Sequence, residues 1–131
     1  MLETLTAPSL PCIAEALLDA DTIDELRALG EGEPSFLLDL VGHYRVETDA
    51  MIVAIEEAVA RHEALAVRAL AHLVRGSSSS VGAIVLAQAC TLLEELDENV
   101  ENASYRRAAL EIRAVFERTV PALEALASSA A

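Results

Sequence analysis

The chain has 131 residues, enough for one domain with an adequate core, and 53% are hydrophobic although only four side chains, two Tyr and two Phe, are aromatic. Glycine and proline are scarce while alanine, leucine, glutamate and arginine dominate, a composition that favours helices packed on helices. A formal charge of −13 argues against nucleic acid as a partner, whose phosphates would be repelled, and against anionic membrane surfaces.

Residues 1–9 read as a flexible lead-in, without the basic segment and apolar core of a secretory signal. A short apolar helix is expected from about Leu10 to Ala20, with Pro11 in its first turn. Asp21 or Thr22 would cap a second short helix through Leu29, ended by Gly30. Glu31 to Pro34 reads as a turn, and Pro34 suits the first turn of a long helix reaching about Arg61. Along that helix Phe36, Leu37, Leu40, Val41, Tyr44, Thr48, Met51, Ile52, Ile55 and Val59 recur three and four apart. This is a single apolar stripe that needs partners along its whole length. His43 lies beside the stripe, where a half-buried structural role is expected.

The next helix runs from about Glu63 through the four serines Ser77 to Ser80. The serines themselves read as a tight connection, with Ser80 or a neighbour capping the helix after them. A further helix is expected from about Gly82 to Glu98, with Ile84, Leu86, Cys90, Leu93 and Leu96 as core contacts. Asp97 to Asn102 breaks the pattern. A last helix from about Ala103 to Ala125 buries Tyr105, Leu110, Ile112, Val115, Phe116 and Leu123, Pro121 kinks or frays its final turn, and residues 127–131 are expected to be flexible. Long helices with short connections give an all-α expectation: an antiparallel up-down four-helix bundle with one or two short extra N-terminal helices, forming one domain over residues 1–131.

Cys12 and Cys90 form neither a metal-spaced cluster nor a disulfide framework, and Cys90 reads as a buried thiol. No apolar run approaches bilayer-spanning length. The expected compartment is the cytoplasm.

The acidity is uneven. Residues 61–75 carry Arg61, Arg68 and Arg75 against Glu63, so the only locally basic segment is the one that contains His72. Residues three and four apart share a helix face, which sets His72 beside the cation Arg75 and beside Gly76. A surface helix without a task would favour alanine at position 76, since glycine there costs about 1 kcal/mol. Close approach by another molecule would account for it. A phosphate-cradling P-loop fails on spacing: five residues separate Gly76 from Gly82, and Ala83 stands where lysine is required. His62 and His72, ten residues apart, face nearly opposite sides of a helix, so they make a poor metal pair. No local Ser-His-Asp or Cys-His grouping is apparent.

The segment Ala71 to Ala83, AHLVRGSSSSVGA, resembles the signature of histidine-containing phosphotransfer domains, the relay modules of two-component systems. His72, Arg75, Gly76, Ser77, Ser78 and Gly82 follow that signature in order, and Leu86, Cys90, Leu93 and Glu94 continue it. Upstream, DELRALG and FLLDLVGHY resemble the family's lead-in and second helices, so the likeness covers roughly residues 22–120. Two positions depart from the common pattern. Arg75 stands where lysine is more frequent, and its planar fork can hold phosphate in a different geometry. Glu94 stands where some members carry glutamine; a carboxylate there can orient the ring through its N–H but repels a nearby phosphate.

The resemblance implies that His72 accepts a phosphoryl group from an aspartate on a receiver domain and passes it to another. Arg75 would offset the phosphoryl charge and Gly76 would admit the partner, with Arg68, Ser79 and Glu94 in support. It also implies a relay intermediate, not an enzyme, without its own ATP site. The divalent metal would belong to the receiver and no cofactor to this chain. The partners would be response-regulator receivers and a cognate hybrid sensor kinase, and a monomer is expected. The competing expectation is a helical adaptor that binds such partners without phosphotransfer.

Overall fold

A computed structural model describes residues 17–97 and 99–128. The described residues include the helices α1 (Ala20–Leu29), α2 (Pro34–Ala60), α3 (Ala64–Ser80), α4 (Ile84–Glu94) and α5 (Asn102–Ser128). Helices α2 to α5 each pack on the next, and α5 closes the ring against α2, so these four form the bundle. Cross-links fix the directions. Tyr44 meets Ser78 across α2 and α3, while Arg45 pairs with Glu124 and Asn102 with the Val59 carbonyl across α2 and α5. Early residues of one helix meet late residues of its neighbour, which is the antiparallel up-down arrangement expected from the short connections.

The stripe of α2 behaves as its periodicity requires. Leu37, Val41, Tyr44, Thr48, Ile52, Ile55 and Val59 are all buried, facing Val67, Ala71, Val74, Leu86, Cys90, Leu93, Tyr105, Ile112, Val115 and Leu123 from the other helices. Ile23 of α1 and the preceding Leu17 and Leu18 are also buried. The α1 segment is tied to one end of the bundle by the Asp19 N–H donating to the Gly82 carbonyl and by Arg27 donating to the Leu126 carbonyl.

Several boundaries differ from the sequence expectation. The cap of α1 is Asp19, whose carboxylate accepts from the Asp21 N–H and the Thr22 hydroxyl, so the helix begins at Ala20 instead of after Asp21 or Thr22. The greater part of the helix expected over Leu10–Ala20, together with Cys12, lies outside the described residues. The four serines are helical. Ser77 and Ser80 return their hydroxyls to the carbonyls of Val74 and Gly76, while Ser78 is buried against Tyr44. Bonding their hydroxyls to the preceding turn lets them stay in a helix, where they would otherwise compete with it. The connection is therefore Val81–Ala83, and α4 begins after Ala83 with no side-chain cap.

The fourth helix ends at Glu94, short of the expected Glu98. Phe36, Ile84 and Leu110, expected in the core, are exposed. His43 is likewise exposed, pairing with Glu47 one turn on instead of half-burying. Helix α5 continues through Pro121 to Ser128, because Leu123 and Ala127 are buried and Arg27 binds the Leu126 carbonyl near its end. Burial of those last turns outweighs the one hydrogen bond that proline removes. Ala127 is thus core instead of flexible tail, and residues 129–131 lie outside the described part.

Three helices end in the same way. After α1, α2 and α3 a residue with positive φ is followed by a backbone N–H that reaches back five residues to a helix carbonyl: Gly32 to Arg27, Glu63 to Ala58 and Ala83 to Ser78. This is the Schellman arrangement, which favours glycine at the left-handed position. Gly82 fits it, with φ of 82° and a would-be Cβ only 3.2 Å from the Asp19 carbonyl. After α2 the position is held by His62 at φ 59°. Replacing His62 with glycine is expected to relieve that conformation and raise stability by about 1 kcal/mol. A higher midpoint in urea unfolding checks this; an unchanged or lower one would show that the imidazole makes a compensating contact.

Candidate functional site

Helix α3 buries Val67, Ala71, Val74 and Ser78, at spacings of three and four. The residues beside that stripe emerge on the flank against α4, and this is how His72, Arg75 and Arg68 come to face the end of α4. His72 is the most open of the group, with 62% of its side chain exposed, against 38% for Arg75 and 19% for Glu94. Glu94 is the last residue of α4, and its backbone carbonyl accepts from Arg68 Nε at 3.2 Å. That bond helps hold the carboxylate beneath the histidine.

The ring nitrogen Nδ1 of His72 has two close neighbours. Glu94 Oε1 lies 3.0 Å away and Arg75 Nη2 2.9 Å away. A guanidinium only donates and a carboxylate only accepts, so one ring nitrogen cannot satisfy both. With a proton on Nδ1 it donates to Glu94, and the lone pair is on Nε2. With the proton on Nε2, Nδ1 accepts from Arg75 and no nucleophilic nitrogen faces outward. Arg75 Nε also lies 3.1 Å from Glu94 Oε2. That contact is an ion pair without hydrogen-bond alignment, and Oε2 is buried with no hydrogen-bond donor.

Behind this surface the helices are locked by a buried polar contact and a thiol. The Tyr44 hydroxyl and Ser78 Oγ are 2.7 Å apart. Burial pushes the Tyr44 phenol up to about 12, with Ser78 partly opposing the shift. Burial, aided by the Glu94 charge, also pushes Cys90 up to about 12. Cys90 is therefore a protonated core residue, as its setting in an apolar helix suggested.

His72, Arg75, Arg68 and Glu94 are thus brought together. Gly76 is exposed one turn from His72, and a Cβ built there would meet nothing within 4 Å. Ser79 lies two turns along on the same exposed face. Sequence reasoning did not find the Arg75–Glu94 ion pair or the Arg75 contact with Nδ1; only the three-residue spacing of His72 and Arg75 hinted at the second. Among the described residues, no group of three or more His, Cys, Asp or Glu side chains is placed to hold a metal ion. None of their helices is long and apolar enough to cross a membrane. A surface groove on the other flank of α4, lined by Ala89, Leu92, Leu96, Ser104 and Ala108, is separate from this site.

The bundle, with a solvent-facing histidine flanked by arginine and glycine on helix α3, defines a helical phosphotransfer domain. A family model described as the Hpt domain matches residues 39–128, and the chain belongs to this family. Among solved structures it is similar to the crystal structure of histidine-containing phosphotransfer protein B (HptB) from Pseudomonas aeruginosa PAO1. The TM-score is 0.58 at 26% identity, over 86% of this chain and 88% of that one. No curated protein matches the chain. The chain is accordingly a phosphotransfer protein of two-component signalling.

Proposed function

We propose that the chain is a phosphorelay intermediate in which His72 Nε2 accepts a phosphoryl group from an aspartate of one receiver domain and passes it to the aspartate of another. The observation that carries this reading is the contact between Nδ1 and Glu94 on a largely exposed ring. A proton on Nδ1, donated to the carboxylate, leaves the lone pair on the far nitrogen, where a partner can reach it. Phosphoryl transfer runs through a loose, in-line transition state, so positioning and charge stabilisation supply most of the catalysis. Arg75 is the cation nearest the ring and supplies the latter.

The exposed strip on α3 fits a docking partner. Leu65, Ala69, His72, Leu73, Gly76 and Ser79 are all exposed, giving an apolar, low-relief surface around the nucleophile. The divalent metal and the acyl phosphate belong to the receiver. A cognate hybrid sensor kinase upstream, a cytoplasmic site of action and a monomeric state complete the reading. One domain spans the chain. Mixing the chain with a receiver carrying radiolabelled aspartyl phosphate should move label onto it. The label should be lost in acid and kept in alkali, as expected for a P–N bond. Label on serine, stable in acid, would overturn the reading, as would failure to transfer from every receiver of the same cell.

A further inference from the structure

We propose that residues 1–16, the segment ahead of the described helices, dock along the groove between α4 and α5, on the flank of α4 turned away from His72. Leu5 and Leu10 are its anchoring side chains. No residue of that groove belongs to the His72 site, so this docking stands apart from the relay reading. The groove has an apolar floor of Ala89, Leu92, Leu96 and Ala108, with Arg107 and Glu111 on its α5 side. Leu92 is 65% exposed, which leaves the floor open to solvent along α4. Size decides the kind of occupant. A separate protein needs about 800 Å² on each partner for a stable interface, drawn from about 20–30 residues a side. Seven residues line this groove, too few to hold a free partner. A segment of the same chain is present at an effective concentration on the order of millimolar, so weak contacts suffice to hold it.

Reach and register agree with such an occupant. Leu17 is buried, and two residues later the Asp19 N–H bonds to the Gly82 carbonyl just ahead of α4. The segment therefore leaves from the α1 end of α4. Ala89 to Leu96 lie about 10–20 Å from Gly82 along the helix direction. Sixteen residues reach about 24 Å even as a helix and about 50 Å when extended. Leu10, Ile13 and Leu17 are three and four apart, so a helix read back from Leu17 keeps all three on one face. Pro8 favours extended chain before it, which carries Leu5 on toward Leu96. Charge agrees as well. Arg107 forms no ion pair with another described residue. Residues 1–16 hold two acids, Glu3 and Glu15, and no basic side chain. With Leu5 near Leu96, Glu3 comes close to Arg107, and the uncharged stretch Thr4–Ala14 is what passes Glu111.

The test uses the full chain with a nitroxide attached at Cys12; Cys90, buried and held as a thiol, stays unlabelled. Amide NMR signals of residues 89–96 and 104–111 should be broadened most, and those of the exposed α3 strip around His72 least. Broadening centred on any other face, or spread evenly over the bundle, would overturn the proposal. Mixing nitroxide-bearing chain at natural abundance with nitrogen-15 chain lacking the nitroxide separates a second copy from the same one. The mixture should show no broadening of the groove; groove broadening there would assign it to a second copy and overturn docking within one chain. Leu92→Gln alters an exposed side chain and leaves His72 and its contacts alone. It should speed cleavage after Glu15 by a glutamate-specific protease about tenfold, because cleavage tracks the population of the undocked segment. Equal rates in the two proteins would overturn the proposal, and the broadening pattern decides independently of how that variant folds.

Discussion

Exchanging His72 for glutamine is expected to reduce acceptance of label from a phosphorylated receiver to the background of the assay. The amide nitrogen of glutamine has no lone pair available for attack on phosphorus, so the loss should be complete instead of graded. The fold should be indifferent to the change. The side chain is 62% exposed, and its polar contacts are those of Nδ1 with Arg75 Nη2 and Glu94 Oε1. A substitution of that kind shifts stability by no more than about 0.5 kcal/mol. Circular dichroism and the urea midpoint should therefore match those of the unaltered protein while transfer vanishes. Two other histidines provide an internal control. His43 pairs with Glu47 on α2, and His62 closes the turn after α2, far along the helix from Gly76. Transfer that persists in the variant, with label on either of them, would move the acceptor away from α3.

The helical periodicity carries a great deal of this architecture. Seven of the ten stripe residues on α2 are buried, because a helix with a continuous apolar face has only one way to hide it, while Phe36, Leu40 and Met51 lie at its edges. It carries less about which neighbour covers a given edge. Leu110 and Ile84 fall close enough to their stripes to be read as core, yet the ring of four helices leaves both outside. The serine run was open to two readings, and the helix running through it holds while the tight connection does not. Composition marks serine as a residue of loops and caps, but here the hydroxyls bond to carbonyls of the same helix and to Tyr44, and no loop is needed. At the site, Arg75 and Gly76 were legible from local spacing. Glu94 was not, being 22 residues from His72 and brought there by the antiparallel return of α4; it came to notice through the family resemblance alone. The ion pair between Arg75 and Glu94, and their competition for one ring nitrogen, are properties of two helices together and have no local signal.

A large side chain at position 76 should separate folding from function. A Cβ at Gly76 would meet nothing within 4 Å, so nothing inside the molecule requires glycine there. Its presence in mid-helix costs about 1 kcal/mol relative to alanine. Gly76→Ala should accordingly raise the unfolding midpoint by about that amount. Gly76→Gln, with a longer side chain and good helix propensity, should also fold at least as well as the parent. Transfer should go the other way. The position is one turn from His72, on the face that the proposed transfer presents to a receiver, and a displacement of about 1 Å in the reacting groups can cost about 100-fold in rate. The expected result is a more stable protein that relays poorly, with the glutamine variant worse than the alanine one. Chemical phosphorylation by phosphoramidate, which needs no protein partner, should be almost unaffected by either change. Equal loss with receiver and with phosphoramidate would mean that the variants disturb His72 itself. A fall in stability would instead reveal a packing role for the bare backbone. An exposed mid-helix glycine with open space above it is what the proposed docking of a receiver beside His72 requires.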